Sequence, residues 1–558
     1  MQSKSNTSQV SEEFVSNVRS QSQKWTRMLN NEREQRQQLQ VQMEQLALQH
    51  SALEKATMRT EGQPPPDVHG TVQGVGVAYE SDDETIFEDA AESLSDAGGQ
   101  SDAAEKVSLS KEQEERKLQR AMTTKLLKAK ISVSNLPSPE HTSIEPSLVP
   151  VKEESKKERR SKIPNKPDVR ISLWSVVKNS IGKDLTKIPI PLNFNEPLSM
   201  LQRITEDLEY SSILDKAAKL EDSSEQMAYV AAFTVSAYST TDTRTGKPFN
   251  PLLGETFEFD RREDLGWRSI AEQVSHHPPA AAQFAESVNG WKMWQEFTMS
   301  SKFRGKYMSV IPLGISHLTF QNGSHYTWRK VTTTVHNIIV GTLWIDNHGE
   351  MTIQNQTTGD KCLLKYLPYS YFSREVARKV QGFVMDKNDR VKWVLQGTWD
   401  SSIQIAKVTK QLNNKDKGSE PEFETTTPLT IWKRNPPLAN SDKFYYFTKL
   451  AVELNEPEEG VAPTDSRLRP DQRLMESGNI DQANVEKVRL EDKQRQKRKR
   501  WETEAEEAMM KGLPYKHYQP TWFHKEKDEY SDMVIHVFKG EYWDRKKTQD
   551  WNGCPDIF

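Results

Sequence analysis

At 558 residues, with 76 Lys and Arg against 80 Asp and Glu, the chain carries a formal charge of −4, which excludes a bulk basic footprint for nucleic acid and leaves only local patches. A hydrophobic share of 35% beside 28% charged residues is too lean for compact structure throughout, so part of the chain is expected to be disordered. The two cysteines, Cys362 and Cys554, exclude a disulfide framework and a thiolate zinc site, and no window approaches the roughly 20 apolar residues of a membrane-spanning helix.

From Trp25 to about Lys55 the sequence lacks Pro and Gly, and Leu39, Met43, Leu46, His50 and Leu53 recur at alternating four- and three-residue steps. Residues 1–60 are therefore expected to hold a short coiled coil that pairs two copies of the chain, with a single solvated helix as the alternative. From Gly62 the composition changes to Pro, Gly and Ser with few large apolar side chains, and residues 61–167 read as a disordered linker. Inside it, Glu80 to Lys106 holds ten acidic residues and one basic residue around Ile86-Phe87-Glu88-Asp89-Ala90-Ala91-Glu92. From composition alone this tract is a solubilising segment; a lone Phe among carboxylates also suits a partner's apolar pocket with a basic rim.

Globular composition begins near Asp168 and continues to Phe558. Ile171, Trp174, Val177 and Ile181 stand at helical spacing, which gives a short amphipathic helix that is either core or a movable cover. Leu198 to Tyr210 and Leu214 to Tyr238 read as further helices. At Glu272-Gln273-Val274-Ser275-His276-His277-Pro278-Pro279 two imidazoles meet two prolines; proline biases the preceding residue toward extended backbone, so the pair is expected at a strand end or in a loop. Adjacent imidazoles donate to phosphate, bind metal or move protons, and the octapeptide leaves those three chemistries open.

Trp328–Trp344, Met351–Ile353, Cys362–Tyr366, Val391–Leu395 and Ile403–Val408 read as strands, separated by turn signals at Asn347-His348-Gly349, Thr358-Gly359-Asp360 and Lys387-Asn388-Asp389. Consecutive strands without intervening helices imply an antiparallel meander that curls into a barrel or packs two sheets. Asp481 to Met510 then reads as one long helix on which Lys487, Glu491 and Arg495 stand at i, i+4 and i+8. The run Lys493 to Arg500 has six positive charges in eight positions, compatible with a solvated face, a nuclear-import signal or a membrane-surface patch.

No H-E-x-x-H, C-x-x-C or G-x-S-x-G pattern is present, so no metal site and no catalytic residue is assigned, and an enzyme is a poor reading. The glycines Gly70, Gly74 and Gly76 do not match a nucleotide loop. A phosphate site without catalysis has candidates in Lys247, Asn250, the two His and the Lys487/Arg495 row, though spacing does not show that they converge.

Gly246-Lys247-Pro248-Phe249-Asn250-Pro251-Leu252-Leu253-Gly254-Glu255 and the octapeptide Glu272–Pro279 resemble the fingerprint of the oxysterol-binding protein family. Val335–Gly341, Asp465–Asp471 and Cys554–Phe558 match as well, and the last two, with Ser199–Arg203, look closer to the branch that gives the family its name than to its distant members. The resemblance covers residues 168–558. It implies an α+β fold: a near-closed antiparallel β-barrel around an apolar tunnel, with an N-terminal helical lid containing Ile171, Trp174, Val177 and Ile181, and a C-terminal helical subdomain. It implies exchange of sterol for phosphatidylinositol 4-phosphate between membranes, with no cofactor beyond these lipids. By the same resemblance Lys247, Asn250, His276, His277, Lys487 and Arg495 hold the inositol phosphate headgroup, with Glu491 the carboxylate of that site.

The linker motif resembles the acidic-tract motif that docks onto VAP proteins of the endoplasmic reticulum. Phe87, Asp89, Ala90 and Glu92 match, while Ile86 and Glu88 depart from it. The pleckstrin-homology domain that precedes the coiled coil in long members is not found in this sequence. The expectation is a cytosolic protein, peripheral at the endoplasmic reticulum and at its contacts with a Golgi-type membrane; the alternative is a sterol-responsive scaffold without net transport.

Overall fold

The structure, a computed structural model, describes Leu126 and residues 129–133, 158–167, 192–303, 307–338, 342–369, 376–412, 421–531 and 533–558. The expected coiled coil, the docking motif and the lid residues Ile171, Trp174, Val177 and Ile181 lie outside the described residues. The described residues all belong to one compact unit, Tyr79–Phe558.

Among the described residues sixteen strands share one sheet, running from Lys130–Val133 at one edge to Thr256–Arg261 at the other. All its pairings are antiparallel except one: Lys130–Val133 lies parallel to Glu422–Thr425, a correction to the wholly antiparallel meander expected. Among the described residues the two edge strands do not pair with each other, so hydrogen bonds do not close the sheet on itself; at its far edge Thr256 instead bridges to Asp465.

The helices account for the interior. Leu198–Tyr210 is not one helix. Asn195–Ser199 is a strand, and helix α1 (Met200–Thr205) begins where Ser199 and Gln202 form a capping box, before a 3-10 turn over Glu206–Tyr210. The helix expected over Leu214–Tyr238 is two, α2 (Ser212–Ala217) and α3 (Ser223–Ser236), because the Asp222 side chain accepts from Ser224 N (2.9 Å) and Glu225 N (3.0 Å) and restarts the helix there. Every residue of α3 from Gln226 to Ser236 is buried, and the helix packs against the strands Lys361–Tyr366, Val391–Thr398 and Leu429–Lys433. A helix apolar on all sides has no solvent face, so α3 lies within the core; Met227, Val230, Phe233 and Val235 each contribute roughly 1.5–3 kcal/mol on burial. Its one buried amide is satisfied: Gln226 accepts from Tyr326 Oη (2.7 Å) and donates to Ala217 O (2.9 Å).

The strand predicted over Trp328–Trp344 is divided into His325–Trp328, Thr332–His336 and the start of Trp344–Asn355. Asn347-His348-Gly349 is not a turn but lies inside that last strand, which changes partner there: Asn347 pairs with Thr333 and Gly349 with Tyr366. The other two turn signals hold, with Gly359 and Asp389 in the left-handed region, φ 83° and 61°.

Beyond the sheet come α4 (Lys449–Leu454), α5 (Pro470–Glu476), the long α6 (Ile480–Met510), a hairpin of Phe523–Lys527 with Val534–Phe538, and α7 (Tyr542–Thr548). No helix among the described residues is long and apolar enough to cross a membrane.

Candidate functional site

The His pair occupies a hairpin tip. Strand Trp267–His276 pairs with Pro279–Ser287, and the last partners are His276 and Pro279. Pro278 and Pro279 have no N–H to donate, so the ladder stops between them. The pair thus sits at a strand end, as expected, with ring centroids 4.6 Å apart and planes at 79°.

Helix α6 passes this tip and meets it with two residues one turn apart, Gln494 and Arg498. Leu253 N donates to Gln494 Oε1 (2.8 Å), which fixes the amide so that its nitrogen faces His276 Nε2 at 2.9 Å. An amide nitrogen only donates, so His276 Nε2 accepts and the ring carries its proton on Nδ1. Arg498 Nη1, likewise a pure donor, lies 2.6 Å from His277 Nε2 and imposes the same tautomer there. Both imidazoles are thereby set as Nδ1–H donors.

Five of the seven predicted headgroup residues line one small chamber: Lys247, Asn250, His276, Lys487 and Glu491. Lys247–Phe249 is a short strand lying parallel to Asn195–Ser199, with Lys247 opposite Asn195. The Asn250 carbonyl accepts from Arg469 Nη1 at 2.7 Å, which holds the loop after that strand. On α6 the Lys487 ammonium lies 2.9 Å from Glu491. The chamber is about 20 Å³, room for about one water, so an inositol headgroup enters only as these side chains part.

The remaining two stand apart. His277 lines a larger cleft of about 740 Å³ with Lys493, Lys497, Arg498 and Trp501. The Arg495 guanidinium is turned to Asp492 and lines neither cavity. His276 lines both, together with a third chamber of about 40 Å³ whose walls include Met200, Ala281, Phe297 and Met299. It therefore stands where a polar, an apolar and a basic space meet.

Several residues that position the site were not singled out from the sequence. Arg469, 2% exposed, ties Asn250 to Glu255 (3.0 Å) and to both oxygens of Asp471 (2.8 and 2.9 Å). Arg467 likewise holds Asp465 (2.8 Å) and the Glu258 carbonyl (2.6 Å). Glu272, first residue of the octapeptide, accepts from Thr521 N (2.7 Å) and Trp522 N (2.8 Å). Burial raises its carboxyl to about 7, although those two N–H donors favour the charged form. The Glu255 and Glu258 carboxyls are raised too, first by burial, with Arg469 and Arg467 respectively opposing it. Among the described residues no group of three His, Cys, Asp or Glu side chains is placed to hold a metal.

The family profile described as Oxysterol-binding protein matches residues 172–547, more than half of the sequence. The chain belongs to the oxysterol-binding protein family. Mouse Oxysterol-binding protein 2 is 47% identical over 556 residues, covering 98% of this chain and 59% of its own length. Oxysterol-binding protein homolog 1 of Saccharomyces cerevisiae is 42% identical over 416 residues, 71% of this chain and 33% of its own. The chain thus spans about three fifths of the mouse relative and one third of the yeast one. Among solved structures, the Osh1 ORD domain in complex with cholesterol matches with a TM-score of 0.62 and 37% identity, covering 72% of this chain and 95% of that one. The Osh3 ORD in complex with PI(4)P from Saccharomyces cerevisiae matches with a TM-score of 0.59 and 33% identity, covering 72% and 99%. Members of this family bind lipids and are not enzymes, and the ligands in these structures are lipids.

Proposed function

We propose that this chain is a lipid-transfer protein that takes a sterol and phosphatidylinositol 4-phosphate in turn in one tunnel, and exchanges them between the endoplasmic reticulum and a Golgi-type membrane at their contact sites. The observation that carries the reading is the convergence of Lys247, Asn250, His276, Lys487 and Glu491, drawn from three distant stretches, on one chamber that shares His276 with an apolar one. It is supported by relatives of the same fold solved with cholesterol and with PI(4)P.

The physics of exchange is consistent with that arrangement. A sterol burying roughly 350 Å² of apolar surface gains about 9 kcal/mol at ~25 cal/mol per Å², comparable to what a bilayer offers, so sterol burial alone sets no direction. Charge-assisted hydrogen bonds to phosphate add roughly 1.5–3 kcal/mol each, and a few such donors select the phosphorylated lipid. The two Nδ1–H donors and Lys487 would supply them, with Arg495 joining once it leaves Asp492. Mutually exclusive occupation then lets a phosphoinositide gradient drive sterol uphill. The reading extends to the linker, where Phe87, Asp89, Ala90 and Glu92 would dock onto VAP-type proteins of the endoplasmic reticulum, to pairing of two copies through residues 1–60, and to a lid containing Trp174.

Replacing both imidazoles, His276→Ala with His277→Ala, is expected to abolish phosphatidylinositol 4-phosphate extraction from liposomes while sterol binding largely survives. Equal loss of both ligands in a still folded protein would overturn these roles.

A further inference from the structure

Residues 129–133 lie inside the stretch that reads as a disordered linker, yet Lys130–Val133 is a strand of the large sheet, a correction to that expectation. It runs parallel to Glu422–Thr425, with Lys130 opposite Glu422 and Ser132 opposite Glu424. Ser132 Oγ donates to Phe423 O at 3.4 Å, across 291 residues of chain. Leu126 anchors the segment: it is 7% exposed and packs in an apolar cluster with Phe383, Val391 and Phe423. Ala129 N donates to Leu126 O at 2.9 Å, a turn that leads the chain from that cluster onto the sheet edge.

The sequence complements this edge. Side chains alternate along a strand, so Phe423 and Thr425 are buried in the core while Glu422 and Glu424 face outward, half-buried. Ser132 is exposed on that outward face, and Lys125, Lys128 and Lys130 precede it in the sequence. A basic segment thus lies on an acidic edge, the arrangement of peptide recognition by strand addition, in which main-chain hydrogen bonds hold the segment and side-chain pockets select it. Four paired residues at the end of a sheet are marginally stable by themselves, so a local change of charge shifts the docking equilibrium.

A phosphate on Ser132 would add about 1.5–2 negative charges beside the Glu424 carboxylate. It would also remove the proton that Ser132 donates to Phe423 O. Lys410 pairs with Glu424 from the other side and is one strand further from Ser132, about 4.8 Å more, so repulsion by Glu424 dominates. Lys130 belongs to the segment itself and accompanies the phosphate whether docked or released.

We propose that Leu126–Val133 is a strap docked on the acidic sheet edge, and that Ser132 is a phosphorylation site that releases it. A protein kinase selecting basic substrates transfers the γ-phosphoryl group of ATP to Ser132 Oγ; one O–P bond forms as the β–γ bridge breaks, and ADP and the hydroxyl proton leave. Where residues 86–92 dock as proposed above, release moves the first anchor after Glu92 from Leu126 to Arg159, which holds Glu456 at 2.9 Å, about doubling the intervening length of chain. That consequence rests on the docking role of residues 86–92; the strap and its release do not.

Amide hydrogen exchange of the full chain is expected to find residues 130–133 and 422–425 protected. Ser132→Glu should speed exchange of both about two- to fivefold, phosphoserine installed at 132 should speed it more, and Ser132→Ala should leave both slow. Adding Glu424→Gln to Ser132→Glu should restore most of the protection. Fast exchange of 130–133 in the wild type overturns the strap. Unchanged exchange in Ser132→Glu, or no restoration by Glu424→Gln, overturns release by charge. Phosphopeptide mapping of the chain purified from cells with phosphatase inhibitors should find phosphate on Ser132, and its absence there overturns the modification.

Discussion

Two charged stretches close to each other in sequence, Asp465–Asp471 and helix α6, have opposite fates. In the first, Arg467 and Arg469 are 3% and 2% exposed, and their guanidiniums are saturated by Asp465, Asp471, Glu255 and backbone carbonyls. In the second, only Ala483 and Leu490 are buried, and the charges face solvent or the two cavities. Removing a partner from the first leaves a carboxylate buried alone; removing one from the second lets water take its place. Charge density in a sequence therefore does not distinguish a scaffold from a binding surface, and burial does.

The contrast is broken most directly at Arg469. Arg469→Ala is expected to destabilise the fold by about 3–5 kcal/mol, because Glu255 and Asp471 lose their counter-charge inside the protein. Arg489→Ala on α6, which breaks a solvent-facing pair with Glu486, should by contrast cost under about 1 kcal/mol. Denaturant unfolding of the two variants checks this, and similar losses at both positions would erase the distinction.

A smaller effect, conditional on pH, comes from Glu272. The folded chain holds this carboxyl's proton up to about 7 against an ordinary value of 4.5. Its contribution to stability is thus fully present below about pH 4.5 and lost as pH rises through about 7, up to about 3 kcal/mol. Glu272→Gln removes that dependence, so the stability of wild type relative to the variant should fall across this window. A flat difference from pH 4.5 to 7 would contradict the assignment.

The smallest effect on stability and the sharpest on chemistry is expected at Gln494. In Gln494→Glu the oxygen facing His276 accepts rather than donates, so the imidazole proton should move from Nδ1 to Nε2, at a cost under about 1 kcal/mol. Imidazole nitrogen-15 shifts report the tautomer, and an unchanged spectrum would show that α6 does not set it.

How much of this was legible in the sequence depends on the range of the forces involved. Helix α6 and the hairpin tip at His276 and His277 are dictated locally, by an uninterrupted run without Pro or Gly and by two prolines, and both were expected. The break between α2 and α3 hangs on one side chain, Asp222, inside a run whose apolar pattern continues on both sides. Asn347-His348-Gly349 has turn composition, yet a strand exchanging one neighbour for another needs the same residues. At the site, residue types announced Lys247, His276 and Lys487, whereas Gln494 and Arg469 have no chemical signature of their own. Their roles arise from what they face across more than 200 residues of chain.

The Glu272 carboxylate has a consequence for the order in which the protein is made. Its two backbone donors lie 249 and 250 residues further along. At roughly 5–20 residues per second, a ribosome needs about 12 to 50 s after completing the octapeptide before Thr521 and Trp522 emerge. Until then the strand bearing the imidazoles lacks the two donors that seat its carboxyl, although α6, complete at Met510, has already been made. The site is thus a late event of synthesis, and a nascent chain stalled before residue 521 would carry every residue of the small chamber without the clamp that seats its central strand.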